Sequence, residues 1–174
     1  NFLAVVLKQF TYHPFIAPYL NTSRENPPQH YIHQCEIVGK VAFRKPIRIL
    51  VGDEIGLGKT ITALNVAKYV EKLKRASKIL IVVPRVLVGQ WRKELLRMGI
   101  PASKIRHVER YTVEFLKMQN FPEGYYIASM DLLKKEERIG EIVNIPWDLI
   151  IIDEIHKFGY KTRRFWKIGK MLVE

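Results

Sequence analysis

The residue types best suited to chemistry lie in one glycine-rich stretch, Asp53 to Thr60, which reads Asp-Glu-Ile-Gly-Leu-Gly-Lys-Thr. The apolar run Ile47–Val51 leads into this stretch and the helix-period run Ile61–Leu73 follows it, which predicts a strand, a turn and a helix. In that context backbone N–H groups and the positive end of the helix dipole can bind a phosphate. Lys59 adds a mobile positive charge for terminal phosphates, and the Thr60 hydroxyl can ligate Mg²⁺.

A second group of charged residues, Asp153-Glu154-Ile155-His156, follows the apolar strand Leu149–Ile152 directly. A carboxylate at a strand tip can hold Mg²⁺, usually through water, and a neighbouring carboxylate can orient and deprotonate an attacking water. We therefore expect Asp153 to hold the metal and Glu154 to act on the water. Taken alone, such a tetrapeptide is also typical of a solvated loop, and only its combination with the glycine-rich turn indicates one nucleotide site.

Strands that alternate with helices are expected to position both groups. The alternation predicts an α/β fold, a doubly wound parallel sheet with flanking helices, with strands at 47–51, 79–83, 105–108, 125–128 and 147–152. Ligands bind at the carboxyl ends of the strands in such sheets, where residues 52–60, Pro84-Arg85 and residues 153–156 are expected. Helices are predicted at 61–73, with Lys68 on the exposed side, and at 29–44, 86–98, 112–118 and 130–143.

The amino-acid composition limits the classes of partner that we expect this protein to bind. Lys and Arg number 29 against 17 Asp and Glu among 174 residues, and the resulting net charge of +12 indicates first a polyanionic partner and second an anionic membrane surface. Charge alone does not identify that polyanion as a nucleic acid. The longest apolar runs are strand-sized and no signal-peptide pattern is present, so we expect no membrane span and a cytoplasmic location, nucleoid-associated in a prokaryote. The single cysteine, Cys35, excludes an internal disulfide and a cysteine-cluster metal site.

The two groups together resemble the Swi/Snf branch of the superfamily-two helicase-like ATPases. In that branch an Asp-Glu pair replaces the first glycine of the general G-x-x-x-x-G-K-[ST] pattern, as at Asp53, and a D-E-x-H box corresponds to residues 153–156. Further resemblance lies in Val82-Val83-Pro84 with Leu87, Gln90-Trp91 and Glu94-Leu95, and in residues 127–132. Ile32-His33-Gln34 resembles the I/P-H-Q element as it occurs in the bacterial RNA-polymerase-recycling ATPases of this branch.

The resemblance implies a RecA-like P-loop NTPase lobe that uses ATP and Mg²⁺. It implies that Gln34 contacts adenine, with Gln29 as a competing candidate, and that Lys59, Asp153 and Glu154 take part in hydrolysis. The implied phosphate and nucleotide contacts are Asp53, Glu54, Gly56, Leu57, Gly58, Lys59 and Thr60, and the implied Mg²⁺ ligands are Thr60 and Asp153. His156 would couple the nucleotide to the nucleic-acid surface, although it could also cap the turn.

The family touches the nucleic-acid backbone at positions that correspond to Pro84, Arg85, Ser129 and Met130. Such contacts position a nucleic acid without specifying its sequence. Arg85 could equally be a solvated charge at a helix start, and Trp91 is more typical of a core residue than of a base-stacking platform. The basic residues between 157 and 170 would suit a phosphate track, yet a charge run is usually a solvated face.

The chain is expected to contain a lead-in segment, residues 1–28, and one ATP-binding lobe, residues 29–174, incomplete at its C-terminus. Because it begins with Asn and stops in a helical pattern, we expect it to be a fragment or a processed product. The family's Ser/Thr-Ala-Thr segment and second lobe are not found after His156. Because that lobe supplies arginines to the terminal phosphate, we expect this piece to bind ATP and hydrolyse it slowly.

The leading functional prediction is the motor lobe of an ATPase that moves along duplex DNA. Two alternatives stay open: a strand-separating RNA or DNA helicase of the D-E-x-H type, and a truncated product that binds nucleotide or nucleic acid without turnover. Unwinding of a tailed duplex distinguishes the first alternative.

Overall fold

The computed structural model describes Gln34, residues 37–39, 58–74, 78–118, 120–133, 140–142 and 144–155. The chain divides into two compact units, which are treated separately below. The first contains Asn1–Arg75 and Arg97–Gly99, and the second contains Ala76–Leu96 and Ile100–Glu174. The predicted boundary at residue 28 and the predicted strand at 47–51 lie outside the described residues.

A four-stranded parallel sheet forms the centre of the second unit. Its strands are β1 (Lys78–Val83), β2 (Ile105–Val108), β3 (Gly124–Ser129) and β4 (Leu149–Ile152), in the spatial order β2-β3-β1-β4. The two inner strands, β1 and β3, are buried along almost their whole length, as expected for unbroken apolar runs covered on both faces. The predicted parallel α/β sheet with flanking helices is therefore confirmed.

Hydrogen bonds hold β4 to β1 at both ends of the strand. At the start of β4, the Asp148 N–H donates to the Lys78 carbonyl at 2.9 Å, and the Lys78 N–H donates to Asp148 Oδ2 at 2.8 Å. Just beyond its end, the Asp153 N–H donates to the Val82 carbonyl at 2.9 Å. The residue after β4 therefore has a backbone position fixed by the sheet.

Three aromatic rings pack together in the core of this unit. The Tyr126 ring centroid lies 5.7 Å from that of Phe121 and 5.1 Å from that of Trp147, with the rings tilted or edge-on. The Tyr126 hydroxyl donates to the Pro122 carbonyl. Burial raises the pKa of Tyr126 above its usual value, and the positive charge of Arg106, whose guanidinium lies 5.5 Å from the ring centroid, lowers it less.

Helices follow each strand of the sheet except β4 in the described chain. A single 3₁₀ turn, Arg85–Leu87, leads from β1 into α2 (Val88–Arg97), and α3 (Arg110–Met118) follows β2. The short α4 (Met130–Leu133) follows β3, and residues 140–142 are also helical within the region predicted as one helix at 130–143. Trp91 and Leu95 are the buried residues of α2, which confirms Trp91 as a core residue.

In the first unit, the helix α1 (Lys59–Lys74) contains the whole predicted helix at 61–73 and begins earlier, at Lys59. Leu64, Ala67 and Val70 are buried, in agreement with their helical spacing. The expectation that Lys68 is exposed is wrong: only 5% of it is accessible, and its Nζ donates to the Met98 carbonyl at 2.8 Å. A buried ammonium needs such a partner, and a carbonyl distant in sequence supplies it. Among the described helices, none is long and apolar enough to cross a bilayer.

Candidate functional site

The start of α1 is described from Gly58, the last glycine of the predicted phosphate loop. Gly58 has a φ of +76°, in the left-handed region that glycine adopts without a steric penalty. Its carbonyl accepts a hydrogen bond from the Thr62 N–H at 2.9 Å and one from Thr62 Oγ1 at 3.3 Å. Lys59 and Thr60 therefore occupy the first turn of the helix, where unsatisfied N–H groups attract anions.

Gln34 lies against this glycine. A Cβ atom placed on Gly58 would lie 2.9 Å from Gln34 Nε2, closer than normal van der Waals contact, and the Gln34 side chain is 2% exposed. The structure thus brings together the predicted adenine contact and the last glycine of the predicted phosphate loop. Asp53, Glu54, Gly56 and Leu57, the rest of the predicted nucleotide contacts, lie outside the described residues.

In the second unit, Asp153 is held by contacts to both its backbone and its side chain. Besides the backbone bond to Val82, the Trp91 indole donates from Nε1 to Asp153 Oδ2 at 3.0 Å. Within the described residues, Oδ1 of the same carboxylate has no hydrogen-bond partner. One oxygen is therefore fixed and the other is available for a ligand.

Glu154 has an unusual backbone conformation. Its φ is +54°, in the left-handed region that non-glycine residues seldom adopt and that costs about 1–2 kcal/mol. Such conformations persist where surrounding contacts impose them and are concentrated at functional sites. The chain therefore turns sharply directly after Asp153, at the residue predicted to act on water. His156 lies outside the described residues.

The residues predicted to contact nucleic acid follow β1 and β3 at the same edge of the sheet. Ser129 ends β3, and its Oγ accepts a hydrogen bond from the Leu132 N–H at 3.3 Å, which caps α4. Arg85 is exposed, whereas Pro84 is buried. The side chain of Met130 is 4% exposed and belongs to the hydrophobic core, and the nucleic-acid contact at this position stays a prediction.

A cavity of about 340 Å³ opens between these strand ends. Its lining combines Arg85 and Ser129 with residues that the sequence did not single out, namely His107, Val108, Glu109, Arg110, Tyr111, Asp131 and Leu132. His107 Nδ1 lies 3.2 Å from Glu109 Oε1. Over the described chain, the guanidinium groups of Arg85 and Arg110 make neither hydrogen bonds nor ion pairs. Arg110 follows β2 at the carboxyl end of that strand. This position could have identified Arg110 from the sequence as a candidate site residue.

The available oxygen donors suit Mg²⁺ better than a transition metal. Across the part of the chain that the structure describes, no three His, Cys, Asp or Glu side chains cluster as a metal site. Mg²⁺ is typically held by one or two carboxylates, with water and phosphate oxygens completing its shell. The Oδ1 atom of Asp153, which faces away from the indole bond, fits that description.

Similarity to known proteins extends over most of the chain. The family described as SNF2-related domain matches residues 33–172. The chain belongs to this family. The RNA polymerase-associated protein RapA of Vibrio vulnificus (strain CMCP6) is 37% identical over 148 residues, and that of Sodalis glossinidius (strain morsitans) is 34% identical over 131 residues. These matches cover 82% and 74% of this chain, and the chain spans 15% and 14% of the two relatives.

Membership of the SNF2-related family confirms the resemblance to Swi/Snf ATPases, and the RapA matches confirm the likeness to RNA-polymerase-associated members. The fold is also similar to the Sulfolobus solfataricus SWI2/SNF2 ATPase core, which was solved in complex with dsDNA. The TM-score is 0.66 at 18% identity, with 87% of this chain and 31% of that chain covered. At this identity the comparison supports the RecA-like fold alone.

Proposed function

We propose that this chain is the ATP-binding motor lobe of a nucleic-acid-dependent ATPase that couples ATP hydrolysis to movement along duplex DNA. The observation that carries the proposal is the arrangement at the carboxyl edge of the sheet. Asp153 and Glu154 follow β4, Arg85 follows β1, and Ser129 ends β3, and these three strands are neighbours. Groups suited to hydrolysis and groups suited to phosphate contact therefore emerge from adjacent strands.

In the proposed reaction, Lys59 neutralises charge on the terminal phosphates, next to N–H groups at the start of α1. Thr60 and Asp153 are the proposed Mg²⁺ ligands, and the bound ion would stabilise charge on the phosphate oxygens. Glu154 orients the attacking water and accepts its proton. Positioning and electrostatics account for most catalysis in phosphoryl transfer, so these four residues form the chain's proposed contribution.

The proposed nucleic-acid contact is the cavity defined above. The guanidinium groups of Arg85 and Arg110, which have no partner among the described residues, line it together with the Ser129 hydroxyl. Guanidinium and hydroxyl groups are typical donors to phosphate oxygens, and the net charge of +12 favours association with a polyanion. The Sulfolobus solfataricus ATPase core was solved with dsDNA bound, which supports duplex DNA as the proposed partner here.

Two substitutions in the full-length protein test the proposal. Lys59→Ala should abolish both ATP binding and DNA-stimulated hydrolysis, because the terminal phosphates lose their neutralising charge. Glu154→Gln should retain ATP binding and lower turnover by about 10²–10⁴-fold, the typical contribution of a general base. Lys93→Ala and Glu114→Gln, which make the same chemical changes at exposed helix positions, serve as controls.

Wild-type DNA-stimulated turnover in both Lys59→Ala and Glu154→Gln would contradict the ATPase assignment. Movement on duplex DNA is tested by displacement of a triplex-forming strand from a closed duplex, which the proposal predicts in the presence of ATP. Separation of a tailed duplex without triplex displacement would instead support the strand-separating helicase.

A further inference from the structure

We infer that Trp91 is a positioning residue that holds the Asp153 carboxylate ready for Mg²⁺. The inference rests on the proposed function and concerns a residue outside the predicted site. The observation that supports it is the hydrogen bond from Trp91 Nε1 to Asp153 Oδ2, at 3.0 Å, between residues 62 positions apart in the chain.

The indole N–H of Trp91 determines the orientation of the Asp153 carboxylate. Trp91 is 2% exposed, so packing fixes the position of its ring. The direction of its N–H is fixed for the same reason. An indole donates and never accepts, and it carries no titratable proton. The bond therefore holds the carboxylate with Oδ2 turned to the indole and leaves Oδ1 available for a metal ion.

The main chain of Asp153 is also held in place. Its N–H donates to the Val82 carbonyl on β1, and the next residue, Glu154, has a φ of +54°. With the main chain and one carboxylate oxygen both fixed, the metal meets a ligand that loses little rotamer entropy on binding. Contacts of this kind around a metal ligand typically contribute about 10–100-fold in metal affinity.

A purely structural role for the bond makes a different prediction. Every buried indole N–H needs an acceptor, and Trp147 provides the comparison, because its Nε1 donates to the Ile142 carbonyl at 2.7 Å. Removing the donor from either tryptophan should lower stability to a similar extent. Only removal at Trp91 should alter binding of the metal.

The experiment replaces each tryptophan in the full-length protein by phenylalanine and, separately, by benzothienylalanine, which keeps the bicyclic shape without the N–H. Mn²⁺ is the probe, and its affinity in the presence of a non-hydrolysable ATP analogue is measured by electron paramagnetic resonance. Thermal unfolding of each variant measures the structural effect independently. The Mg²⁺ dependence of DNA-stimulated turnover provides half-saturating concentrations and maximal rates.

Both Trp91 variants should weaken Mn²⁺ binding about tenfold relative to the matching Trp147 variants, at the lower end of the range for such contacts. The half-saturating Mg²⁺ concentration should rise by a similar factor, with the rate at saturating Mg²⁺ within about threefold of wild type. Mn²⁺ affinities within twofold in the Trp91 and Trp147 benzothienylalanine variants would overturn the inference. That result would leave the proposed function intact, because the Lys59 and Glu154 variants test the latter separately.

Discussion

Substitution of Gly58 by alanine tests the geometry of the phosphate loop directly. An L-residue held at the Gly58 φ of +76° is strained by about 1–2 kcal/mol, because its Cβ crowds the following carbonyl. Here the new Cβ would also lie 2.9 Å from Gln34 Nε2, and that side chain, being buried, has little space to withdraw. If Gly58 belongs to the proposed phosphate-binding site, this strain opposes the binding conformation, so ATP affinity should fall by about 5–30-fold.

Gly99→Ala provides a matched control, because Gly99 has a φ of +78° and is not part of the phosphate loop. Both variants should lose about 0.5–1.5 kcal/mol of unfolding free energy, since the reduced entropy of the unfolded chain offsets part of the strain. ATP affinity is measured in the full-length protein by equilibrium titration with a fluorescent analogue, and stability by urea unfolding. An ATP affinity of the Gly58→Ala variant within twofold of wild type would refute this prediction. An equal loss of ATP affinity in the Gly99→Ala variant would also refute it.

Three further predictions concern the second unit. Asp148→Ala should lower the free energy of unfolding by about 1 kcal/mol in urea titrations, because the Lys78 N–H at the start of β1 loses its acceptor. Asp148→Asn retains an acceptor oxygen and should lower the free energy of unfolding by less than half as much. Because burial raises the pKa of Tyr126, its stabilising contribution is complete below the unfolded value of about 10 and declines as pH rises through the folded pKa. Stability measured between pH 8.5 and 11 should therefore decline less steeply in Tyr126→Phe, and an unchanged slope would contradict this. Arg85→Ala should reduce the salt dependence of DNA binding by about one phosphate contact, whereas Arg92→Ala, outside the cavity, should leave the slope unchanged.

The regular elements around the site could be predicted because local pattern determines them. The apolar run Ile79–Val83 predicts a strand buried on both faces, and the structure has β1 at Lys78–Val83. The helical spacing from Ile61 to Leu73 predicts a helix, which in the structure begins at Lys59 and ends at Lys74. Parallel strands place their carboxyl ends at one edge, so the emergence of Asp153 at the same edge of the sheet as the end of β1 also followed from the sequence, whereas the order of the strands did not.

Contacts between distant parts of the chain were not predictable in the same way. The sequence indicates that Trp91 is buried but does not indicate that its N–H meets Asp153, because the partner depends on how α2 packs on the sheet. Lys68 has the charge of a surface residue, and its hydrogen bond to the distant Met98 carbonyl helps to compensate for its burial. Met130 shares the strand end with Ser129, yet its side chain turns into the core. In each case tertiary packing overrides the local tendency.

The order of strands in the sheet has a consequence for the synthesis of this protein on the ribosome. β1 is an inner strand, yet the partner that covers one of its sides, β4, begins about 70 positions later in the chain. Until β4 has emerged, β1 presents an open apolar edge, and closing a loop of that length is slow compared with forming a helix. The carboxylate proposed for the metal immediately follows β4. The nascent chain can therefore complete α1 early, but Asp153, the proposed metal ligand, is bonded to the sheet only once β4 has formed.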